Sequence, residues 1–416
     1  MMAVKEAPSR LFIVLNETDR SKSIDRVRKR VKKNLVKQGY DVEDIEELDD
    51  VLAIVIRDRK KELENLNPEN PEETENKFVL DEIKHKGLPQ VILRRDASIA
   101  ASMGESVTSG DITVVPPLAS GDDVLMMDKH YNIVAHGVAN LSSEEIKRSP
   151  GRVAIRTIES RYDVPKFDTH KIYTGGMMSV STLPRLLGAK ILEFDDEPTN
   201  IMVIAQDEGE IAANLLRKAA DGSKLYILSK ESEIETYTAT LERLQVDMDS
   251  VEFITRSLDR YAKSRPRVKF SHFYLELPST ESGKRPNPYF ELEEKNIISN
   301  ARTQFSAIRS VALIGKNDAQ VAYVTHSIDP TENEEVVVQA FRQGTFVPVE
   351  LDADLRAKYK HGINALPEIP TVTQAGSIDL DKLEMERNYQ ISWLGIDPRD
   401  HESDAGFVAK LRLKLK

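Results

Sequence analysis

Three side chains capable of acid–base or nucleophilic chemistry stand at the ends of two apolar runs. Leu275-Glu276-Leu277-Pro278-Ser279 carries a carboxylate and a hydroxyl three residues apart, and Tyr323-Val324-Thr325-His326-Ser327 ends on an imidazole. Hydroxyl, imidazole and carboxylate are the parts of a hydrolytic relay, and Ser279, His326 and Glu276 would form one if the fold hydrogen-bonded them in line. The imidazole alone can act as a base, whereas an unassisted serine hydroxyl is essentially un-ionised at neutral pH. The bland alternative for a lone histidine in a strand-end loop is a satisfied structural role. A third stretch, Ala205-Gln206-Asp207-Glu208-Gly209-Glu210-Ile211, sets one glycine among three acids after another apolar run, where a backbone can approach a ligand closely.

The elements that must position these residues are legible from about Asp168 onward as strand–helix alternation. Ile201–Ala205, Leu225–Leu228, Val251–Ile254, Phe273–Leu277 and Val321–Val324 read as buried strands. Helical patterns fall between them, at Glu210–Ala220, Glu233–Leu244, Asn296–Val311 and Glu332–Phe341. Such alternation predicts an open, mostly parallel sheet covered on both faces, with ligands outside the carboxyl ends of its strands. Ile201, Val203, Leu225, Ile227, Phe273, Leu275 and Val321 are expected in its core. The segment Ala353–Asp404 reads as mostly irregular, and Gly406–Lys410 as a closing strand.

Upstream, Leu11–Leu15 and Val51–Ile56 read as strands flanking a helix with Ile24, Val27, Val31 and Leu35 on one face and Arg26, Arg28, Lys29, Arg30, Lys32 and Lys33 on the other. Arg59–Phe78 is charged and proline-bearing, a linker pattern. Val91–Leu93, Ile112–Val115, Val124–Met127, Ile133–Ala135 and Val153–Ile155 are short strands with turn signals between them, as in a small β-barrel. Ser142-Ser143-Glu144-Glu145 fits a capping box. The divisions expected are 1–85, 88–166 and 168–416.

The chain has 416 residues, 58 basic against 69 acidic, a formal charge of −11 and no cysteine. Bulk charge therefore does not advertise nucleic-acid binding; an RNA surface must be a local basic patch. Disulfides, thiolate zinc sites and thiol mechanisms are excluded, and no metal site is expected. No apolar run approaches the ~18 residues of a membrane span, and an apolar leader segment is not evident at Met1–Glu6. The expected location is intracellular, cytoplasmic or nuclear, with an organelle left open.

Tyr323-Val324-Thr325-His326-Ser327, with Glu332-Asn333-Glu334 and a helix after it, resembles the last catalytic motif of the RsmB-like (Sun-type) RNA cytosine-5 methyltransferases. There His326 stands where that family has its nucleophilic cysteine. Leu275–Gly283, followed by Arg285-Pro286-Asn287, resembles the motif that supplies the family's acid and second cysteine, here Glu276 and Ser279; Gln304 matches a family glutamine. In the S-adenosylmethionine loop Gly209 is retained; Ser229 falls where the ribose carboxylate belongs and Ser257 where a further acid is expected. Ser120-Gly121-Asp122-Asp123-Val124, Ala135-His136-Gly137-Val138-Ala139, Ser142–Glu145 and Gly151–Ile155 resemble a PUA domain, the RNA-binding barrel of one branch of that family.

The resemblance implies an α/β chain: a Rossmann-like S-adenosylmethionine methyltransferase domain, a PUA-like β-barrel and a small N-terminal α/β domain. It implies RNA, tRNA or rRNA, as partner, through a basic excess at Arg94, Arg95, Lys147, Arg148, Arg152, Arg156, Arg161 and Lys166. With both cysteines and the ribose acid replaced, the expectation is an RNA binder or scaffold that neither binds S-adenosylmethionine nor transfers methyl. The rivals are an active methyltransferase with divergent site residues and a protein-interaction module without RNA.

Overall fold

The computed structural model describes residues 9–16, 23–48, 50–58, 88–167, 170–283, 294–359, 389–397 and 404–415. The Arg59–Phe78 segment and Arg285-Pro286-Asn287 lie outside them. The chain forms two compact units. One holds the described residues of Met1–Val55, Phe167–Arg285 and Phe290–Lys416, the other chiefly those of Ile56–Lys166.

The chain opens with β1 (Ser9–Leu15), α1 (Ile24–Lys37), β2 (Ile45–Leu48) and β3 (Val51–Asp58). The apolar stripe of α1 buries Val27, Val31 and Leu35, while Arg26, Lys29, Arg30 and Lys33 stay exposed, as the helical spacing predicts.

The second unit follows: β4 (Gln90–Leu93), α2 (Arg95–Ser102), β5 (Val107–Thr108), β6 (Ile112–Val114), β7 (Asp123–Met127), β8 (Ile133–Ala139), α3 (Ser143–Arg148), β9 (Val153–Ser160) and β10 (Tyr162–Asp163). Six of these strands form one sheet in the order β5-β9-β8-β7-β4-β6, with Val91, Leu93, Val124, Met126, Ala154 and Ile155 in its core. All five expected strands are present. The capping box forms: Ser142 Oγ accepts the Glu145 amide and Glu145 Oε2 accepts the Ser142 amide at 2.9 Å.

The chain then returns to the first unit with α4 (Lys171–Thr174), β11 (Met178–Ser181) and α5 (Leu183–Lys190). β11 pairs antiparallel with β1, Val14 opposite Ser179, so the N-terminal strands belong to the same compact unit as the alternating region. Met177 and Met178 are buried there as core filling.

The alternating region runs β12 (Asn200–Ile204), α6 (Glu210–Lys218), β13 (Lys224–Leu228), α7 (Ile234–Arg243), β14 (Val251–Ile254), α8 (Leu258–Lys263), β15 (Phe270–Glu276), α9 (Glu294–Ile314), β16 (Gly315–Thr325), α10 (Glu334–Arg342), β17 (Phe346–Pro348), α11 (Ala353–Lys358), β18 (Trp393–Ile396) and β19 (Gly406–Leu413). The sheet order is β14-β13-β12-β15-β16-β19-β17, with β18 also on β19. From β14 to β16 every pairing is parallel, with Val203 opposite both Ile227 and Tyr274, and Phe273 opposite Val321. The seven expected core residues are fully buried. Most of Ala353–Asp404, expected to be mostly irregular, lies outside the described residues; its described part holds α11 and β18, and β18 forms because its Leu394 and Ile396 complete the core against β19.

Strand order reverses between β13 and β15 around β12, which opens a crevice at the carboxyl ends of these strands. Over that edge lies α5. Its Pro184 sits in the first turn, where no N–H is needed, and Leu183, Leu187 and Gly188 face inward. A Cβ on Gly188 would come 2.4 Å from Val324 Cγ2 and 3.0 Å from the Tyr274 ring, so the helix backbone rides directly on β15 and β16. Gly188→Ala is expected to lower stability by about 1–3 kcal/mol, overpacking outweighing the better helix propensity. Urea unfolding checks this; an unchanged midpoint would mean that α5 is not held close.

Candidate functional site

Glu276 is the last residue of β15, and His326 follows the last residue of β16, so parallel pairing brings them side by side. Both are buried. Arg185, in the first turn of α5, reaches down onto them: its Nε donates to both Glu276 oxygens at 2.9 Å, and Nη2 lies 2.9 Å from Oε1. The Gln206 amide donates to Glu276 Oε2 at 3.1 Å, and Arg185 Nη2 donates to the Gln206 carbonyl at 2.6 Å.

His326 Nδ1 lies 3.3 Å from Glu276 Oε1, and its Nε2 lies 2.8 Å from Thr182 Oγ1. A carboxylate only accepts, so Nδ1 carries a proton, and in the neutral ring Nε2 accepts from the threonine hydroxyl. Burial by itself would raise the Glu276 carboxyl. The Arg185 guanidinium beside it, with His326, outweighs that and holds it below the usual carboxylate range. Burial by itself would lower the Arg185 guanidinium, but the attraction of Glu276 and Asp207 outweighs that and keeps it protonated. Glu276 is therefore a fixed carboxylate near neutral pH, able to accept and orient but without a proton to give.

Ser279 is half-buried on the loop after β15, and its Oγ accepts the Glu281 amide at 3.3 Å. The hydroxyl at the far side of His326 is that of Thr182. Sequence reasoning passed over Thr182 and Arg185, because a threonine before a proline-containing helix reads as a cap and an arginine within one reads as surface.

The surrounding motif residues are absorbed into backbone support. Gly283 donates its amide to the His326 carbonyl at 2.6 Å, and a Cβ there would lie 2.5 Å from the Ala405 carbonyl oxygen. Glu332 is fully buried and accepts from the Thr280 amide at 2.9 Å, the Thr280 hydroxyl at 2.6 Å and Asn300 Nδ2 at 2.9 Å. Asn333 holds the Ser327 carbonyl at 2.9 Å, and Gln304 that of Pro278 at 2.9 Å.

The loop after β12 closes on itself. Asp207 accepts the amides of Gly209 at 3.1 Å and Ile211 at 2.7 Å, the donors that open α6. Gly209 has φ +117°, a conformation natural to glycine, and a Cβ would press on the Tyr237 ring at 3.3 Å. Burial pushes Asp207 up, and burial with the Asp207 charge pushes Glu210 up to about 7, although Arg243 lies 3.3 Å away. Beyond the loop is a cleft of about 1150 Å³ lined by Leu228, Leu258, Leu277 and Ala307 among others. Ser229 lines it with an enclosed Oγ that has no hydrogen-bond partner; Ser257 lines it as an exposed residue opening α8. Among the described residues there is no group of three or more acids or histidines able to hold a metal, and no helix long and apolar enough to cross a membrane.

In the second unit the expected basic residues separate. β4 and β7 run parallel and end together, Ile92 opposite Met127, while β9 ends beside the start of β8, Ser160 opposite Ala135. Arg94, Arg95 and Arg161 therefore emerge at one end. Lys147, Arg148 and Arg152 lie at the other, among acids: Arg148 is 3.7 Å from Glu144, and the Ser142 amide and hydroxyl hold Glu145 below its usual range with Arg152 assisting. Arg156 lies exposed within β9, and Lys166 donates to the Gly104 carbonyl at 3.3 Å.

Residues 89–160 match the PUA domain family. A tRNA (cytosine(72)-C(5))-methyltransferase of Pyrococcus horikoshii is 23% identical over 261 residues, 62% of this chain. The match spans 65% of that relative's own length. The crystal structure of NSun6 from Pyrococcus horikoshii with SFG superposes with a TM-score of 0.71 at 17% identity, covering 100% of this chain and 93% of that one. The fold is thus that of a methyltransferase with a PUA domain, and the resemblance read from the sequence stands.

Glu334, in the Glu332-Asn333-Glu334 frame, supplies a pH test of the site's packing. It is buried with Oε2 unpartnered, and burial pushes its carboxyl up to about 8. A carboxyl whose folded pKa is raised leaves stability intact below about 4.5 and removes it as pH rises through about 8. Glu334→Gln is expected to leave the unfolding free energy nearly unchanged at pH 4 and to raise it at pH 9, by up to about 5 kcal/mol. Equal effects at both pH values would show that Glu334 does not titrate in the folded protein.

Proposed function

We propose that this chain, a relative of the PUA-containing RNA cytosine-5 methyltransferases, binds RNA and does not transfer methyl. It would act on tRNA or rRNA as a binder or scaffold, with residues 1–85, 88–166 and 168–416 as its functional divisions. The observation that carries the reading is that two separate sites have been turned inward together. At the chemical site, Glu276 is engaged by Arg185, the Gln206 amide and His326, so it has no proton to lend a reacting base. At the position where the resemblance calls for a thiol stands the imidazole of His326, a poor partner for addition to carbon 6 of cytosine, and Ser279 replaces the second thiol.

At the cofactor site the residues present do not fit S-adenosylmethionine. The amides opening α6 are consumed by Asp207, so the methionine carboxylate would face acids rather than donors. Ser229 offers one hydroxyl where a carboxylate would accept two. A second reading, an active methyltransferase with divergent residues, draws on one observation: the roomy cleft retains an unpartnered Ser229 Oγ. A protein-interaction module without RNA is the third, and the arginines Arg94, Arg95 and Arg161 gathered at one end of the PUA domain speak against it.

S-adenosylmethionine separates the first two readings. A ligand that binds only the folded state raises stability by about 2.7 kcal/mol at a hundredfold excess over its dissociation constant. No rise in melting temperature and no 5-methylcytosine on tRNA or rRNA are expected, and His326→Cys with Ser279→Cys is expected to remain inactive. Methyl transfer by the unmodified protein would sink the proposal. For RNA, affinity should fall with salt, the logarithmic slope near −0.7 per phosphate contact on single strands. Salt-independent or absent binding would favour the protein-interaction module.

A further inference from the structure

The turn between β7 and β8 presents an aromatic ring to solvent at a backbone angle that its residue disfavours. Tyr131 is 66% exposed, the most exposed of the large apolar side chains among the described residues, and has φ +65°. A tyrosine in the left-handed region is strained and persists only where its surroundings over-determine it. Asp128 does so here. It is 1% exposed, and its carboxylate accepts the His130 amide at 2.7 Å, the Asn132 amide at 2.8 Å and Asn132 Nδ2 at 2.7 Å. Its backbone takes the Tyr131 amide at 3.1 Å and gives its own to the Asn132 carbonyl at 3.0 Å.

A buried, fully satisfied aspartate thus locks a turn whose tip has no packing role. Glycine or asparagine would meet the same angle with less strain, so the ring is not there for the turn. The same end of the sheet carries Arg94 and Arg95 after β4 and Arg161 after β9, on strands contiguous with β7 and β8.

We propose that Tyr131 is a stacking platform for an unpaired base of RNA, with Arg94, Arg95 and Arg161 drawing the phosphate backbone to this end of the PUA domain. The proposal rests on the RNA-binding reading and adds where the RNA sits and in what form. An exposed ring stacks on any base face that is not already stacked, which selects single-stranded ends, loops or bulges over paired stems. Cations fix the backbone without reading sequence. The ring releases no counterions, so its contribution is independent of salt, whereas those of the arginines are not.

The test uses the full chain and two labelled RNAs, a hairpin with a single-stranded 3′ overhang and the same hairpin blunt-ended, titrated at several salt concentrations by fluorescence anisotropy. The wild type should prefer the overhang. Tyr131→Ala and Tyr131→Gly should lose that preference and bind the overhang about five- to a hundredfold more weakly, with the salt slope unchanged. Tyr131→Phe should bind as wild type. Arg94→Ala should reduce the salt slope by somewhat less than one. Tyr131→Gly should melt at or above the wild-type temperature, which separates lost stacking from lost folding. Wild-type affinity in Tyr131→Gly, or an equal loss on both RNAs, would overturn the platform while leaving RNA binding intact. Binding of neither RNA by the wild type, at low salt, would remove the RNA reading and the platform with it.

Discussion

A guanidinium and a carboxylate withdrawn from water together hold the carboxyl edge of the main sheet in place. Arg185 and Glu276 are both largely enclosed, and each ion alone would suffer a desolvation penalty of several kcal/mol. Their mutual geometry offsets it only because the remaining bonding capacity is also taken up, by the Gln206 amide and carbonyl and by His326. Removing either partner leaves a buried charge unmatched, whereas replacing both with apolar groups of the same shape could be neutral. The pair therefore fixes geometry more surely than it adds stability. It ties α5 to β15, β15 to the loop after β12, and that loop to the end of β16.

The acids of that loop follow from the same field. Asp207 lies close enough to stabilise the Arg185 cation and to be disfavoured by Glu276, and Glu210 in turn feels Asp207. Such crowding is tolerable because Asp207 spends its charge on the Gly209 and Ile211 amides, where the partial positive charge of a helix start is concentrated. A bound anion would ordinarily use those amides. Here the chain has supplied the anion from its own side chain, three residues before the helix begins.

The fold was legible because buried parallel strands are written as uninterrupted apolar runs, and Ile201–Ala205, Leu225–Leu228 and Phe273–Leu277 are such runs. The capping box at Ser142 was legible because its two bonds depend on residues three apart. Arg185 was not, since its partner lies 91 residues away and nothing local distinguishes a buried cation from a surface one. Thr182 was hidden in the same way, 144 residues from His326. The strand β18 was missed because its pairing with β19 is a tertiary fact; Trp393-Leu394-Gly395-Ile396 holds a glycine and is too short to show a period.

The identity of residue 326 makes sense against this edge. A reactive thiol works as its anion, and its pKa is lowered by nearby cations and raised by nearby anions or burial. Position 326 is buried and faces the oxygen of a carboxylate that Arg185 keeps ionised, so a thiolate there would confront like charge at close range unless Glu276 were protonated or turned away. An imidazole meets the same environment with a donor. Its Nδ1–H complements the carboxylate, and its far nitrogen takes the Thr182 hydroxyl at the threshold of α5, the helix that carries Arg185. A histidine here thus serves connectivity, and it is consistent with Arg185 in a way that a thiol would not be: the cation that fixes the charge on Glu276 is also what makes a histidine, rather than a cysteine, the complementary neighbour.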